Sequence, residues 1–157
     1  MKTITICQPY AELILLGEKR VENRVWKPAY CGPLLIHAGK SRTWLDSYEP
    51  LPTHMDFGGL VGVCELATCF TARAIKAKKV PREYWDLAEH AHVEGPYCWV
   101  LDRVFRFPAM IKLAGRQGLF DVDAADIAPT LQAMVATGTL DRATAEHFLR
   151  EVSDAHA

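Results

Sequence analysis

The longest β-like run in the sequence, GGLVGVCELATCF at residues 58–70, constrains the fold more than any other feature. Apolar and β-branched side chains fill most of its positions, and it contains no proline. A proline-rich loop pattern at residues 47–57 precedes it. A run of this length and character is typical of a strand with neighbours on both sides. We therefore expect a central strand, with the rest of the chain organised around it.

Shorter strand patterns lie on both sides of this run. We predict further strands over residues 3–7, 19–26 and 34–38, and a β-hairpin over residues 96–107 with its turn at Asp102-Arg103. These segments are short and are separated by turn residues or by helical patterns. The combination predicts an α+β fold in which the strands pair mainly in antiparallel fashion.

Helical patterns occupy the connections and the end of the chain. We predict a helix from Pro9 to Gly17, one capped by Ser41, one beginning near Pro81, and a hairpin of two helices after Pro129 that is divided at Gly138. A chain of 157 residues is too short for two comfortable domains. We expect one domain over residues 1–122 and a helical extension over residues 123–157 that packs on it.

The overall charge excludes one class of nucleic-acid-binding protein. A net charge of −1 and a pI near 6.6 are not those of a protein that coats duplex DNA without sequence preference. Any contact with nucleic acid must therefore be local. No stretch approaches the roughly 20 apolar residues that cross a bilayer, and the first ten residues lack the apolar run of a signal peptide. We expect no membrane association and a cytoplasmic location.

The cysteines predict reduced thiols. There are five of them, scattered, mostly within apolar runs and without a CxxC pair. Structural zinc sites need ligands in close pairs with matching spacing, and disulfide frameworks need an even number of cysteines. The sequence therefore indicates neither a metal nor another cofactor.

The segment GEKRVENR concentrates ionisable groups within a few residues. Gly17 releases the chain from a helix, and Lys19, Glu22 and Arg24 follow on or beside a strand. Glu22 and Arg24 share one face of that strand because their spacing is two. An ammonium, a carboxylate and a guanidinium together can clamp a phosphate or pair with the polar edge of a base. The simpler interpretation from spacing alone is an exposed salt bridge, which contributes little to stability.

Three further polar residues lie on or next to predicted strands. Lys40, in the tripeptide GKS, follows a strand and can meet an anion, although the glycine that a phosphate-binding Walker loop requires is missing. His37, near the end of that strand, is either a packed residue or part of a site. Glu65 lies within the longest run and needs a cation such as Lys19 or Arg24 unless it faces solvent.

Five ordered motifs resemble those of a known family. They are ICQPYAELILLGEKRVENRVW, GPLLIHAGK, GGLVGVCEL, GPYCWVL and GLFDV, and they span about residues 3–122. They resemble the ASCH family, named for activating signal cointegrator homology, within the PUA-like superfamily. The family signature G-x-K-x-x-E-x-R is matched by Gly17, Lys19, Glu22 and Arg24. The resemblance implies a β-barrel with flanking helices and a cleft lined by these residues, by Gln8 and by the segment after residue 38.

The resemblance also implies a class of function. PUA-like domains generally bind RNA or recognise modified bases, and some ASCH proteins are ribonucleases or amidohydrolases that act on an acylated cytidine. The amidohydrolases use a threonine nucleophile three residues after the lysine, and that position is Glu22 here. A carboxylate does not replace a hydroxyl nucleophile in that reaction, so the amidohydrolase chemistry is not implied for this chain.

Three hypotheses follow. The first is a binding module for RNA or a nucleobase-like ligand, with ligand contacts from Gln8, Pro9, Tyr10, Lys19, Glu22, Arg24, Trp26, His37, Lys40 and Glu65. In it, Arg24 and Lys40 hold phosphate, Glu22 accepts from a base amine, and Tyr10 or Trp26 stacks on a base. The second is a hydrolase acting on RNA or a modified nucleoside, with Lys19 and Glu22 as an acid/base pair. The third is a protein-interaction domain whose C-terminal hairpin binds the partner.

Overall fold

In the part of the chain that the structure describes, six strands form one sheet in the order β2-β5-β4-β3-β1-β6. A computed structural model of the chain describes residues 1–150. The strands are Lys2–Ile6 (β1), Val21–Arg24 (β2), Gly32–Ala38 (β3), Gly59–Thr71 (β4), Tyr97–Lys112 (β5) and Leu119–Asp121 (β6). All neighbours pair antiparallel except β1 and β3, which are parallel. The sheet curls into a partly open barrel, so the α+β class and the PUA-like architecture predicted from the sequence are confirmed.

The predicted central strand is β4. It pairs with β3 along one edge and with the long β5 along the other, and its first six residues are buried. Its register with β5 shifts at several points, as expected where a long pair of strands coils around a core. The apolar run at residues 58–70 therefore has the position in the sheet that its composition predicts.

The predicted hairpin turn at Asp102-Arg103 is wrong. Residues 97–112 form one continuous strand, β5, and the residues taken for a turn lie within it. Arg103 has a positive φ of 50°, and the register against β4 shifts between Val63 and Glu65 at the same level. These features mark a bulge, which bends a strand without ending it. A bulge and a tight turn favour similar polar residues, which is why the pattern misled the prediction.

Within residues 1–150, four helices flank the sheet: Tyr10–Leu15 (α1), Ala72–Lys76 (α2), Ala124–Ala136 (α3) and Arg142–Arg150 (α4). Two 3₁₀ segments lie at Leu45–Ser47 and Arg82–Glu89. The helix predicted after Ser41 is reduced to the first of these segments, and the helix predicted near Pro81 is the second. The first helix of the C-terminal hairpin begins five residues before Pro129, because Asp123 caps it by accepting from the backbone N–H of Ala125 at 2.9 Å.

The sheet has apolar residues on both faces. One face and α1 surround a core that includes Ile4, Ile36 and Trp99. The other face packs against α3 and α4, where Leu131 and Phe148 are fully buried. The helical extension thus covers one side of the sheet. The boundary at residue 122 remains a prediction, and the last seven residues of the extension lie outside the described residues.

Candidate functional site

The signature residues form one buried ionic cluster. The Nζ atom of Lys19 donates to Oε2 of Glu22 at 2.7 Å and to the carbonyl oxygen of Val21. The other carboxylate oxygen, Oε1, lies 3.1 Å from Nη2 of Arg24. Lys19 is 3 % exposed and Glu22 is 8 % exposed. One carboxylate therefore bridges a buried ammonium and a guanidinium that is 24 % exposed, and the cluster has a formal net charge of +1.

Local backbone structure explains why these side chains meet. Gly17 has a positive φ of 79° and ends α1, after which the backbone N–H of Lys19 returns to the carbonyl of Leu13 at 3.0 Å. Strand β2 then pairs with β5, where Glu22 lies opposite Trp99. Lys19 follows the end of the helix and Glu22 lies on the strand, so the signature spacing brings the ammonium and the carboxylate together in one buried location. The simpler interpretation, an exposed salt bridge, is excluded by this burial.

Arg24 joins two strands that are not neighbours in the sheet. Its Nη2 atom donates to the carbonyl oxygen of Thr5 in β1 at 2.7 Å. The adjacent strand β6 pairs with β1 only as far as Ile4, so the Thr5 carbonyl lies beyond its end. The Nε atom of Arg24 is buried and has no hydrogen-bond partner within residues 1–150. The guanidinium therefore helps to close the open side of the barrel while it orients Glu22.

A cavity of about 200 Å³ lies above the ion pair. Its lining residues define what we term the signature pocket: Tyr10, Lys19, Glu22, Asn23, Trp44 and Glu94. The Tyr10 ring lies 5.7 Å from the ammonium of Lys19 and 6.4 Å from the Trp44 ring. The pocket has a charged floor and an aromatic rim, which is the combination that binds a planar polar molecule.

Two more aromatic rings extend this rim. His92 stacks on Tyr48 with ring centroids 6.1 Å apart and meets Tyr10 edge-on at 6.2 Å. Burial and the nearby charge of Lys19 lower the pKa of His92, so its ring is neutral at pH 7. Burial and the carboxylate of Glu94 raise the pKa of Tyr10, so its hydroxyl keeps its proton. The rim is therefore uncharged at neutral pH.

Asn23 fixes the segment that carries Glu94. Its Nδ2 donates to the carbonyl of His92 at 2.8 Å, and its Oδ1 accepts from the backbone N–H of Gly95 at 3.0 Å. These bonds hold the loop before β5 against β2, and Glu94 in that loop lines the pocket. The side-chain amide of Asn23 therefore supports the wall of the pocket through its hydrogen bonds to the backbone of this loop.

The sequence model of the ASCH domain family matches residues 4–105, about two thirds of the chain. The chain belongs to the ASCH family. The crystal structure of ASCH from Zymomonas mobilis aligns with a TM-score of 0.51 at 14 % identity, over 85 % of this chain and 94 % of that one. A mutant form of the Zymomonas protein aligns with a TM-score of 0.50 at 15 % identity, over 86 % and 96 %. No curated protein sequence matches the chain.

Three of the predicted ligand residues of the ASCH domain are occupied by contacts within the protein. Gln8 is fully buried, donates to the carbonyl of Asp56 at 2.8 Å and accepts from the backbone N–H of Glu12 at 3.0 Å. Pro9 is buried at the start of α1. Trp26 packs edge-on against Trp99 at 4.6 Å. These residues shape the surroundings of the signature pocket, and Tyr10 is the predicted aromatic residue that lines it.

Three others lie elsewhere in the ASCH domain. Lys40 and His37 line a second cavity, with Thr5, Gly115 and Arg116. Glu65 does not meet Lys19 or Arg24, because its carboxylate lies 3.0 Å from Nε2 of His147 in α4. The sequence placed all of these residues in one cleft, whereas the structure divides them among three locations.

Most residues of the pocket rim were not predicted from the sequence. Trp44 lies in the helix predicted after Ser41 and Tyr48 in the loop predicted over residues 47–57, and no spacing rule links either residue to Lys19. His90 and His92, which are spaced two apart beside Glu94, are only a weak metal-ligand pattern in the sequence, so neither His92 nor Glu94 was predicted as part of the pocket. Within residues 1–150, no group of three or more histidine, cysteine or acidic residues is placed to hold a metal ion. In the same range, no helix is long and apolar enough to cross a membrane.

Proposed function

We propose that this ASCH domain binds one base of RNA, or a free nucleoside, in the signature pocket. The observation that supports the proposal best is the buried Lys19–Glu22 pair beneath the rings of Tyr10 and Trp44. A charged, hydrogen-bonding floor recognises the edge of a base, and the aromatic rim stacks on its face. Selective recognition needs both the floor and the rim, because stacking alone does not distinguish one base from another.

The floor has donors and acceptors to offer. A lysine ammonium has three N–H donors, and Lys19 uses two of them on Val21 and Glu22. An ionised carboxylate has about four acceptor sites, so Glu22 retains capacity beyond its contacts with Lys19 and Arg24. Glu94 adds a second carboxylate at the edge. The pocket therefore suits a base with an amine next to a carbonyl or ring nitrogen, as in cytosine or adenine.

The size of the pocket limits how much of a ligand it encloses. Pockets for drug-sized molecules generally measure about 300–1,000 Å³, whereas this one measures about 200 Å³. A single base fits such a volume, and its sugar and phosphate remain outside. Trp44 is 49 % exposed, so its ring is available to a ligand without repacking. We propose recognition of one unstacked base, in the cytoplasm, where reduced cysteines are also the norm.

The proposal is tested by equilibrium titration with cytidine, adenosine and uridine. Trp44→Ala removes one of the two aromatic rings that line the pocket, and loss of base stacking is worth about 1–3 kcal/mol. We expect wild-type protein to bind cytidine or adenosine more tightly than uridine, which lacks an exocyclic amine, and Trp44→Ala to weaken binding about tenfold. The matched control is Trp85→Ala, because Trp85 is 42 % exposed and lies outside the pocket. Equal affinities for wild type and Trp44→Ala contradict the proposal.

A hydrolase that acts on RNA or a modified nucleoside is the second candidate. It is favoured by the position of Glu94 on the same pocket as the Lys19 ammonium, which places a carboxylate base and a cation around one ligand. Against covalent catalysis, no serine, threonine or cysteine is among the described residues that line the pocket. The protein is incubated with short RNA and modified nucleosides, with and without a chelator, and mass spectrometry of the mixture distinguishes hydrolysis from binding. Hydrolysis predicts a product that disappears in Glu94→Gln, whereas pure binding predicts unchanged masses.

The C-terminal hairpin gives less support to the third hypothesis. An exposed apolar stripe on Leu131, Met134, Phe148 and Leu149 would favour a protein partner, but the first three side chains are fully buried and Leu149 is half-buried against the same core. The residues proposed for partner binding are therefore used to complete the core.

A further inference from the structure

The second cavity has the features of a separate binding site. It encloses about 400 Å³ and shares no lining residue with the signature pocket. Thr5 and His37 are register partners on the parallel strands β1 and β3, so both side chains project from the same face of the sheet. Lys40 and Arg116 complete the lining from two loops and are exposed. The cavity therefore has a polar floor and a positively charged opening.

The charge at the opening is not neutralised by the protein. Among the described residues that line the cavity, none is acidic. Within residues 1–150, neither Lys40 nor Arg116 has a carboxylate within ion-pair distance. The stem of Lys40 packs on Gly58, where any Cβ would lie 2.8 Å from its Cε atom, and the Arg116 guanidinium lies 5.9 Å from the Phe120 ring. Two positioned cations without partners favour an anion.

The floor holds two buried polar atoms without protein partners. His37 is 1 % exposed, and its Nε2 lies 2.9 Å from the carbonyl oxygen of Leu113. Because a carbonyl only accepts, Nε2 carries a hydrogen, and the lone pair of the neutral ring is on Nδ1. Within residues 1–150, neither Nδ1 of His37 nor Oγ1 of Thr5 has a hydrogen-bond partner. Buried polar groups of this kind are rare and gain free energy when a ligand bonds to them.

Gly115 lies directly over these two atoms. A Cβ built on Gly115 would lie 2.8 Å from both Nδ1 of His37 and Oγ1 of Thr5. The loop that carries Gly115 and Arg116 therefore rests on the polar floor without bonding to it. Because both atoms are buried beneath it, a ligand group reaches them only when this exposed loop moves outward.

We propose that the second cavity binds a sugar phosphate, with the phosphate between Lys40 and Arg116 and a sugar hydroxyl bonded to His37 and Thr5. The sugar hydroxyl donates to the lone pair on Nδ1 of His37 and accepts from the hydroxyl of Thr5. The ligand is either a free sugar phosphate or the terminal nucleotide of RNA, because both carry the same groups. This site goes beyond the base pocket and does not depend on it.

The test is a set of titrations with ribose 5-phosphate, inorganic phosphate and ribose, followed by calorimetry. We expect ribose 5-phosphate to bind most tightly. The variant Lys40→Gln/Arg116→Gln weakens both phosphate ligands about tenfold or more, because charge-assisted hydrogen bonds are lost. Both side chains are exposed, so the fold is retained. The control Arg73→Gln/Lys79→Gln removes two exposed cations outside the cavity and leaves affinity unchanged.

Thr5→Val separates the two halves of the site. It keeps the shape of the side chain and removes the hydroxyl, so it erases the advantage of ribose 5-phosphate over inorganic phosphate. A 5′-phosphorylated trinucleotide and its 5′-hydroxyl form then distinguish a free sugar phosphate from an RNA end as the ligand. If the phosphorylated trinucleotide binds more tightly than both its 5′-hydroxyl form and ribose 5-phosphate, the site is assigned to RNA ends. Equal binding by the cavity variant and the control variant, or the absence of saturable binding, overturns the proposal. Uncharged nucleosides report the signature pocket separately.

Discussion

The guanidinium of Arg24 lies 2.7 Å from the carbonyl oxygen of Thr5, and through this bond β2 reaches β1 across the open side of the sheet. The same Nη2 atom lies 3.1 Å from the Glu22 carboxylate. The Arg24 side chain thus links β2 to β1 and orients Glu22, which also bonds to Lys19. The family signature is structural and functional together, since the residues that form the pocket floor also hold the strands that surround it.

Arg24→Lys should destabilise the protein by about 1–3 kcal/mol, because an ammonium cannot reproduce the planar fork and a buried acceptor loses its partner. Chemical denaturation measures the change. The control Arg73→Lys is exposed and should change stability by less than about 0.5 kcal/mol. Equal stability of the two variants would show that the bond to Thr5 does not contribute.

Lys19→Met should cost about 3–5 kcal/mol, since it leaves the Glu22 carboxylate buried with one cation in place of two. Glu22→Leu should also destabilise, because it leaves the ammonium and the guanidinium side by side. The double variant should be more stable than the sum of the single changes predicts, by about 1–3 kcal/mol. Additive changes in the free energy of unfolding would contradict direct coupling.

His92→Phe should reduce the loss of folding stability that the wild-type protein shows as the pH falls below neutrality. The folded protein lowers the pKa of His92 below its usual 6.5, so the unfolded chain binds the proton more readily and wild-type stability falls as pH decreases through and below 6.5. Phenylalanine keeps a ring against Tyr48 and does not titrate. Thermal denaturation between pH 7.5 and 5 should therefore show a smaller loss for His92→Phe. Parallel profiles would refute this role of His92.

Phe148→Ala should destabilise the protein by about 3–5 kcal/mol, because Phe148 is fully buried where α4 meets the sheet. The affinity of the folded variant for nucleosides should be unchanged, since the signature pocket is formed by other elements. Leu16→Ala, at a position that is 52 % exposed, is the control and should cost little. A negligible effect of Phe148→Ala would mean that the hairpin is not part of the core.

Local sequence patterns predicted much of the fold. The alternation around Val21 and the apolar run that became β4 were sufficient, because strand character depends on nearby residues. The error at Asp102-Arg103 arose because a bulge and a turn draw on similar residues. The early start of α3 was missed because Pro129 suggested a boundary, although a proline in a helix is tolerated at some energetic cost.

The candidate site was only partly predictable. The signature brings Lys19, Glu22 and Arg24 together over eight residues of chain, so spacing carried the information. Trp44 and Glu94 reach the pocket through loops whose paths depend on distant bonds, such as that of Asn23 to His92. The sequence left Glu65 either paired with a cation such as Lys19 or Arg24 or facing solvent, because its actual partner, His147, is 82 residues away. Contacts of this kind arise from tertiary packing and leave no local pattern.

The location of base binding is the central claim, and a backbone amide NMR titration of the labelled protein with cytidine tests it most directly. We predict saturable shifts that concentrate at Tyr10, Lys19, Trp44 and Glu94 and that are weaker with uridine. The Lys40→Gln/Arg116→Gln variant should show the same shifts, because its changes lie in the other cavity. Shifts confined to Gly115 and its neighbours, or no saturable shifts with any nucleoside, would contradict the claim.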